Sequence, residues 1–327
     1  MSAIALPDTR GDWLACPYRI LDQHFTLLAA AIRTVRGIHD SESIELLPVS
    51  VLEVDERRKH IIEQLDTGAA RVFLFTANKL GGELDIPETD SSPGGKVDFS
   101  VMEVTAFPEA GPVPLEFGKV MMFEVQTADF HGSPKHAEAN LVALCPPGHD
   151  VSLPYHDEIR NNPELVGDRM EGPNKANIFK RTIYQMLYKM ELARAESCDG
   201  FVIVLPAVVW TSWLRHLGMP PLTQDAADPT LLRLEVPEAA GKQTRPNEEL
   251  VKPEPAWIFV FDIDRTSHES PNPLRVVHRI ATDSASLIHF AFEEAARKAI
   301  RGKALEKYRE AFINRIMERW TRGAKKK

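Results

Sequence analysis

The chain has 327 residues, 43% of them hydrophobic, and a formal net charge of -8, with pI ≈ 5.8. That is enough to bury a substantial core, as one large domain or a core with an appended lobe, and the acidic balance argues against indiscriminate nucleic-acid affinity. No apolar run reaches bilayer-spanning length, the start "MSAIALPDTRGDW" lacks a signal-peptide pattern, and three dispersed cysteines suit a reducing compartment, so a cytoplasmic protein without membrane partners is expected.

In chain order, "ERRKHIIEQLDTG" (residues 56–68) has helical apolar spacing and a glycine stop. "ARVFLFTA" (70–77) has strand length. "KVDFSVMEVTAF" (96–107) predicts a strand, after a turn-forming run of two serines, a proline and two glycines at 91–95. Residues 119–127 predict the next strand. "NKANIFKRTIYQMLYKMELARA" (174–195) predicts an amphipathic helix, with Asn174 as N-cap and an apolar stripe of Ile178, Ile183, Met186, Leu187 and Met190. "GFVIVLPAVVW" and "AWIFVFDID" read as buried strands. The Pro- and charge-rich stretch between them reads as an exposed excursion. From Ser284 onward the pattern is helical, and residues 292–327 carry twelve Lys/Arg against five Asp/Glu. They read as a solvated basic surface or one that feels a polyanion. The order helix, strand, strand, strand, helix, strand predicts an α/β core with a mixed sheet, not a doubly wound one.

Chemistry concentrates in "GKVMMFEVQTADFHGSPKH" (118–136). Alternation puts Glu124 and Gln126 on one strand face, with Phe123 and Val125 on the other. A carboxylate there is costly to bury unless it is paired or binds a cation. Two readings stand: a structural polar pair, or a site in which Asp98 from the preceding strand and Glu124 share a divalent ion. Mg²⁺ suits such a site, because it takes oxygen ligands and keeps several waters. Gln126 cannot act as a base, so its part would be to orient the attacking water. Asp90 is a rival first ligand. Cys145 and His149 form an alternative metal pair, weaker on its face.

Six blocks extend the pattern: "DWLACPYRILDQHF", "KLGGELDIPE" with the residues that follow it to Pro93, "FEVQTADFHGSPKHA", "MEGPNKANIFKRTIYQMLYK", "WTSWLRHL" and "AWIFVFDID". In these collinear blocks, which cover most of residues 12–264, the chain resembles the NotI-type restriction endonucleases of the PD-(D/E)xK nuclease superfamily. The resemblance implies a single endonuclease domain over 1–327. Its catalytic core would span about 56–265, with a central mixed β-sheet flanked by helices, and a helical C-terminal region would follow at about 284–327. It implies a Type II site-specific deoxyribonuclease that hydrolyses double-stranded DNA at a GGCC-centred palindrome such as CGGCCG or GCGGCCGC, leaving 5′-phosphates. Mg²⁺ would be the cofactor.

Carried over by position, the catalytic set is Asp98, Glu124 and Gln126, an E-x-Q variant with Asp98 and Glu124 as metal ligands. Val97 stands where the superfamily pattern has proline. The four-thiolate iron site of the best-known member is not expected, since Cys16 alone matches it; Cys16 then reads as a small buried hydrophobe. Glu83, Asp129 and His131 are candidate accessory groups. Lys135, His136, Lys175, Asn177, Lys180 and Arg181 are candidate DNA contacts, the last four at a helix N-terminus suited to phosphate. Trp210, Trp213, Arg215 and His216 read as a dimer or DNA surface or, for the two tryptophans in particular, as packing residues. A palindrome implies a homodimer, and a separate protecting methyltransferase is expected. The alternatives are a repair or mobile-element nuclease of the same fold and a non-catalytic DNA-binding protein on that scaffold.

Overall fold

The computed structural model describes residues 4–6, 9–13, 20–21, 25–76, 84–90, 94–107, 115–126, 175–236, 256–264, 266–267 and 272–324. Along the chain come β1 (Ile4–Leu6), β2 (Thr9–Trp13), α1 (Thr26–Arg36), β3 (Ile44–Pro48), α2 (Asp55–Thr67), β4 (Arg71–Thr76), β5 (Leu84–Ile86), β6 (Gly95–Val97), β7 (Phe99–Ala106) and β8 (Glu116–Val125). Then follow α3 (Lys175–Leu192), β9 (Cys198–Pro206), α4 (Ala207–His216), β10 (Thr223–Gln224), β11 (Leu231–Leu234), β12 (Ala256–Ile263), β13 (Leu274–Thr282), α5 (Ser284–Ile288), α6 (Ala295–Arg301) and α7 (Ala304–Ala324). A short π-helical stretch, His289–Glu294, joins α5 to α6.

Nine of the described strands form one sheet in the order β10-β11-β13-β12-β9-β8-β7-β4-β3. It is mixed: β9 runs parallel to both β8 and β12, whereas β7 is antiparallel to both β8 and β4. Central β9 is covered on both faces, which is why its sequence is an unbroken apolar run and not an alternation. Phe201, Ile203 and Leu205 enter one core layer with Met122, Phe179, Ile183, Met186, Met190 and Trp213. Val202 and Val204 enter the other, with Phe123, Val125, Phe259 and the α1 residues Leu28 and Ile32. Helices thus flank the sheet on both sides, with α3, α4 and α5 against one face and α1 against the other. Among the described residues no helix is long and apolar enough to cross a membrane.

The predicted α/β order and the mixed sheet are present, with corrections. "GFVIVLPAVVW" is not one strand: β9 ends at Pro206, and Ala207 opens α4. Pro206 sits in extended backbone at φ -64 and ψ 151, and Val209, Trp210 and Trp213 then recur at helical spacing and are buried. The predicted strand 96–107 is two, because the chain leaves a small sheet with β5 at Val97 and enters the main sheet at Phe99, turning at Asp98. The excursion before β12 begins with a paired strand, β11, beside β13. The elements α1, β3 and β13 had no sequence expectation.

The far C-terminus is helical, as expected. In α7 the side chains of Leu305, Tyr308, Phe312 and Ile316 are exposed. Trp213, by contrast, is wholly buried and meets Phe179 edge-on, with ring centroids 5.4 Å apart, as its reading as a packing residue requires. Truncating it in Trp213→Ala removes a large contact area between α3 and α4. The variant is expected to lose about 3–5 kcal/mol of stability, read as a lower urea midpoint with an unchanged far-UV spectrum before the transition.

Candidate active site

Strand β8 delivers the site. Phe99 pairs with Phe123 and Ser100 with Met122 across the antiparallel β7–β8 ladder. Asp98 sits at the turn just before this ladder, close enough for its negative charge to act on Glu124. Glu124 projects into the layer filled by Met122, Ile203 and the buried stripe of α3. The Val125 amide donates to Oδ2 of Asp98 at 2.8 Å. Gln126 follows the strand, anchored by its own amide to the Val204 carbonyl at 2.9 Å, and its side-chain Nε2 lies 3.5 Å from Oε1 of Glu124.

Glu124 and Gln126 are both buried, at 8% and 7% exposure. Above them lies Lys189, on the inner face of α3 and only 3% exposed, whose Nζ donates to Oε2 of Glu124. Sequence reading did not select Lys189, although a signal was present. Lys189 falls three residues after Met186 and four before Ala193, both buried, so it occupies an apolar-stripe position on the helix. A lysine there is either bent to the surface or holding a buried anion.

Glu124 is pushed up from an ordinary 4.5 to about 7. Burial is the largest cause and the negative charge of Asp98 the second; the Lys189 ammonium pulls the other way but does not prevail. A carboxyl group whose ionisation a neighbouring carboxylate opposes forms with that neighbour a donor set that a hard divalent cation relieves. Asp98 and Glu124 fit Mg²⁺ in this sense, since the ion needs one or two carboxylates and otherwise takes water and phosphate oxygens. Among the described residues no group of three or more His, Cys, Asp or Glu side chains gathers to hold a metal. Among the described residues, Asp98 and Glu124 are the carboxylates placed to hold a cation at this point.

The other expected site residues divide as follows. Asp90 is exposed, whereas Asp98 is half-buried and bonded to the Glu124 strand, so the geometry joins Asp98 and not Asp90 to Glu124. Lys175, Asn177, Lys180 and Arg181 fall in the first turns of α3, with side chains outside the described set. Glu83, Asp129, His131, Lys135, His136, Cys16, Cys145, His149 and the N-cap Asn174 also lie outside the described residues. His216 stacks on Phe179 with centroids 5.2 Å apart, in the packing beneath α3. Tyr184 on the same helix is 68% exposed, outside the core.

No protein-family model matches this chain, and no curated protein matches it as a relative.

The raised Glu124 carboxyl has two consequences. Because its folded value lies above its unfolded one, its contribution to stability is full below about pH 4.5 and is lost as the pH rises through about 7. A cation must also displace its proton below pH 7. Mg²⁺ affinity, measured by calorimetry, is therefore expected to fall about tenfold per unit between pH 7 and pH 5, and Glu124→Gln should abolish that dependence.

Proposed function

We propose that this chain is a Mg²⁺-dependent Type II restriction endonuclease on a PD-(D/E)xK core, an E-x-Q variant of the NotI type. It cuts double-stranded DNA in the cytoplasm at a GGCC-centred palindrome such as CGGCCG or GCGGCCGC. The observation that carries the reading is the meeting of Asp98, Glu124 and Gln126 at the β7–β8 ladder, on the helix-covered face of a mixed sheet. Support also comes from the block-wise resemblance of the sequence to that family.

Asp98 and Glu124 would hold the cation, which when bound would polarise the scissile phosphate and make a water more acidic. The Gln126 carboxamide, fixed through its backbone to β9, presents an acceptor and a donor to that water and carries no charge. The Asp98 carboxylate is steadied by the Val125 amide, so its orientation costs little to organise on substrate binding. Lys135, His136 and the basic first turns of α3 would track the DNA backbone. Two such sites are needed to cut both strands of a palindrome, which calls for a homodimer; the exposed apolar residues of α7 are available surface for a second chain. A methyltransferase, encoded separately, would protect the host DNA.

The test is cleavage of a plasmid library with sequencing of the fragment ends. Discrete fragments with one shared palindrome and 5′-phosphates are expected. Nicking that follows DNA structure instead of sequence would favour a repair or mobile-element nuclease. Glu124→Ala is expected to lose at least about 10³-fold in cleavage rate, the equivalent of several kcal/mol of transition-state stabilisation. The same variant should keep site-specific binding in Ca²⁺. A wild-type chain that binds its site but never cuts it would point to a non-catalytic DNA-binding protein.

A further inference from the structure

We propose that Lys189 is a catalytic residue: it supplies from helix α3 the buried cation that the strand position Gln126 does not. The inference rests on the nuclease reading above and deepens it. Its basis is geometric. Lys189 is 3% exposed, yet it sits on the apolar stripe of α3, where an unpaired ammonium would be strongly unfavourable. Its Nζ donates to Oε2 of Glu124, the carboxylate whose other oxygen, Oε1, faces the Gln126 amide. One ammonium, one carboxylate, one carboxamide and Asp98 are therefore gathered over the end of β8, contributed by β8, the β6–β7 turn and a helix that begins 50 residues beyond Val125 in the chain.

A purely structural salt bridge is a weak explanation for this pair. Replacing a buried ion pair with apolar residues is often neutral or stabilising, and the surroundings here, Met122, Met186, Met190 and Ile203, would accept such residues. The pair instead leaves Glu124 held by a group that can give way. In the resting protein the ammonium engages Oε2 of Glu124, an oxygen that a divalent cation would take. With Glu124 held by such a cation, Nζ would be free to move. A lysine side chain has a flexible four-carbon stem and three N–H donors, so Nζ would turn toward Gln126 and donate to the attacking water and to a non-bridging phosphate oxygen.

The water oxygen bonds to phosphorus, the P–O3′ bond breaks, the water's proton passes to solvent, and the departing O3′ takes a proton from solvent. The ammonium offsets the negative charge that gathers on the attacking and non-bridging oxygens, a role a neutral carboxamide cannot fill.

The experiment compares wild type, Lys189→Met, Lys189→Arg and the double variant Gln126→Lys/Lys189→Met, using whole protein and cognate plasmid. Lys189→Met is expected to fold, to bind the site in Ca²⁺ as tightly as wild type, and to cut at least about 100-fold more slowly under single turnover, within what mutagenesis shows for a lost transition-state donor. Lys189→Arg should keep part of the rate. The double variant should regain at least about tenfold over Lys189→Met, because a strand lysine at 126 reaches the same water. A second readout is independent of cleavage: Mg²⁺ titrated by calorimetry should bind Lys189→Met several-fold more tightly, since no ammonium competes for Glu124.

Wild-type cleavage rates in Lys189→Met would overturn the inference while leaving the nuclease reading intact. A slow Lys189→Met that the strand lysine cannot rescue, with Mg²⁺ affinity unchanged, would reduce Lys189 to a packing residue and also overturn it. Loss of cutting in Glu124→Ala alongside either result keeps the two questions separate. A wild type that cuts no DNA sinks the nuclease reading and, with it, the catalytic assignment of Lys189.

Discussion

The carboxylate of Glu124 lies beneath a helix, beside a second carboxylate and against a buried ammonium, and these three relations constrain everything around them. Burial alone would neutralise the group. Asp98 adds to that pressure, while Lys189 opposes it and gives the carboxylate a partner that does not need water. The result is a group balanced near neutrality, in a place where only another cation or a proton can take over from Lys189. A sheet face built for packing rarely tolerates such a cluster, and its presence among methionine and isoleucine side chains is what marks the end of β8 as a candidate working site.

The fold serves this balance through register. The antiparallel ladder of β7 and β8 brings the turn residue Asp98 near Glu124, and the parallel pairing of β8 with β9 fixes Gln126 through a backbone bond to Val204. Because β9 is covered on both faces, β8 cannot slide against it without carrying polar Glu124 and Gln126 into the opposite layer with Phe123 and Val125. Register is thus enforced by the same hydrophobic layers that isolate the site. The turn at Asp98 has a similar logic. By leaving the small sheet at Val97 and joining the main one at Phe99, the chain turns at Asp98, whose carboxylate accepts from the Val125 amide.

Much of this was readable from residue order. Period-two alternation around Glu124 placed it with Gln126 and apart from Phe123 and Val125, and the structure keeps that division. The helices α2 and α3, the strands β4, β8 and β12, and the mixed α/β organisation follow from apolar spacing and turn residues within short windows. The boundary between β9 and α4 was misread because "VIVLPAVVW" is apolar throughout, and an unbroken apolar run carries no period to separate strand from helix. β3, β11 and β13 were missed for a related reason: they are short or half-buried strands whose pairing partners, β4 and β13 for the first two and β12 and β11 for the third, lie elsewhere in the chain.

The sequence by itself determined which residues could bear chemistry on β8, since side-chain alternation is a local property of a strand. It also determined that α3 has an apolar stripe, since helical periodicity is equally local. Only the tertiary structure decided that Asp98 and not Asp90 meets Glu124, and that Lys189 reaches Glu124 from 65 residues farther along the chain. Those choices depend on how a turn leaves one sheet for another and on which face of a helix lands on which strand. The energy that sets them is burial summed over distant segments, and no window of neighbouring residues contains it.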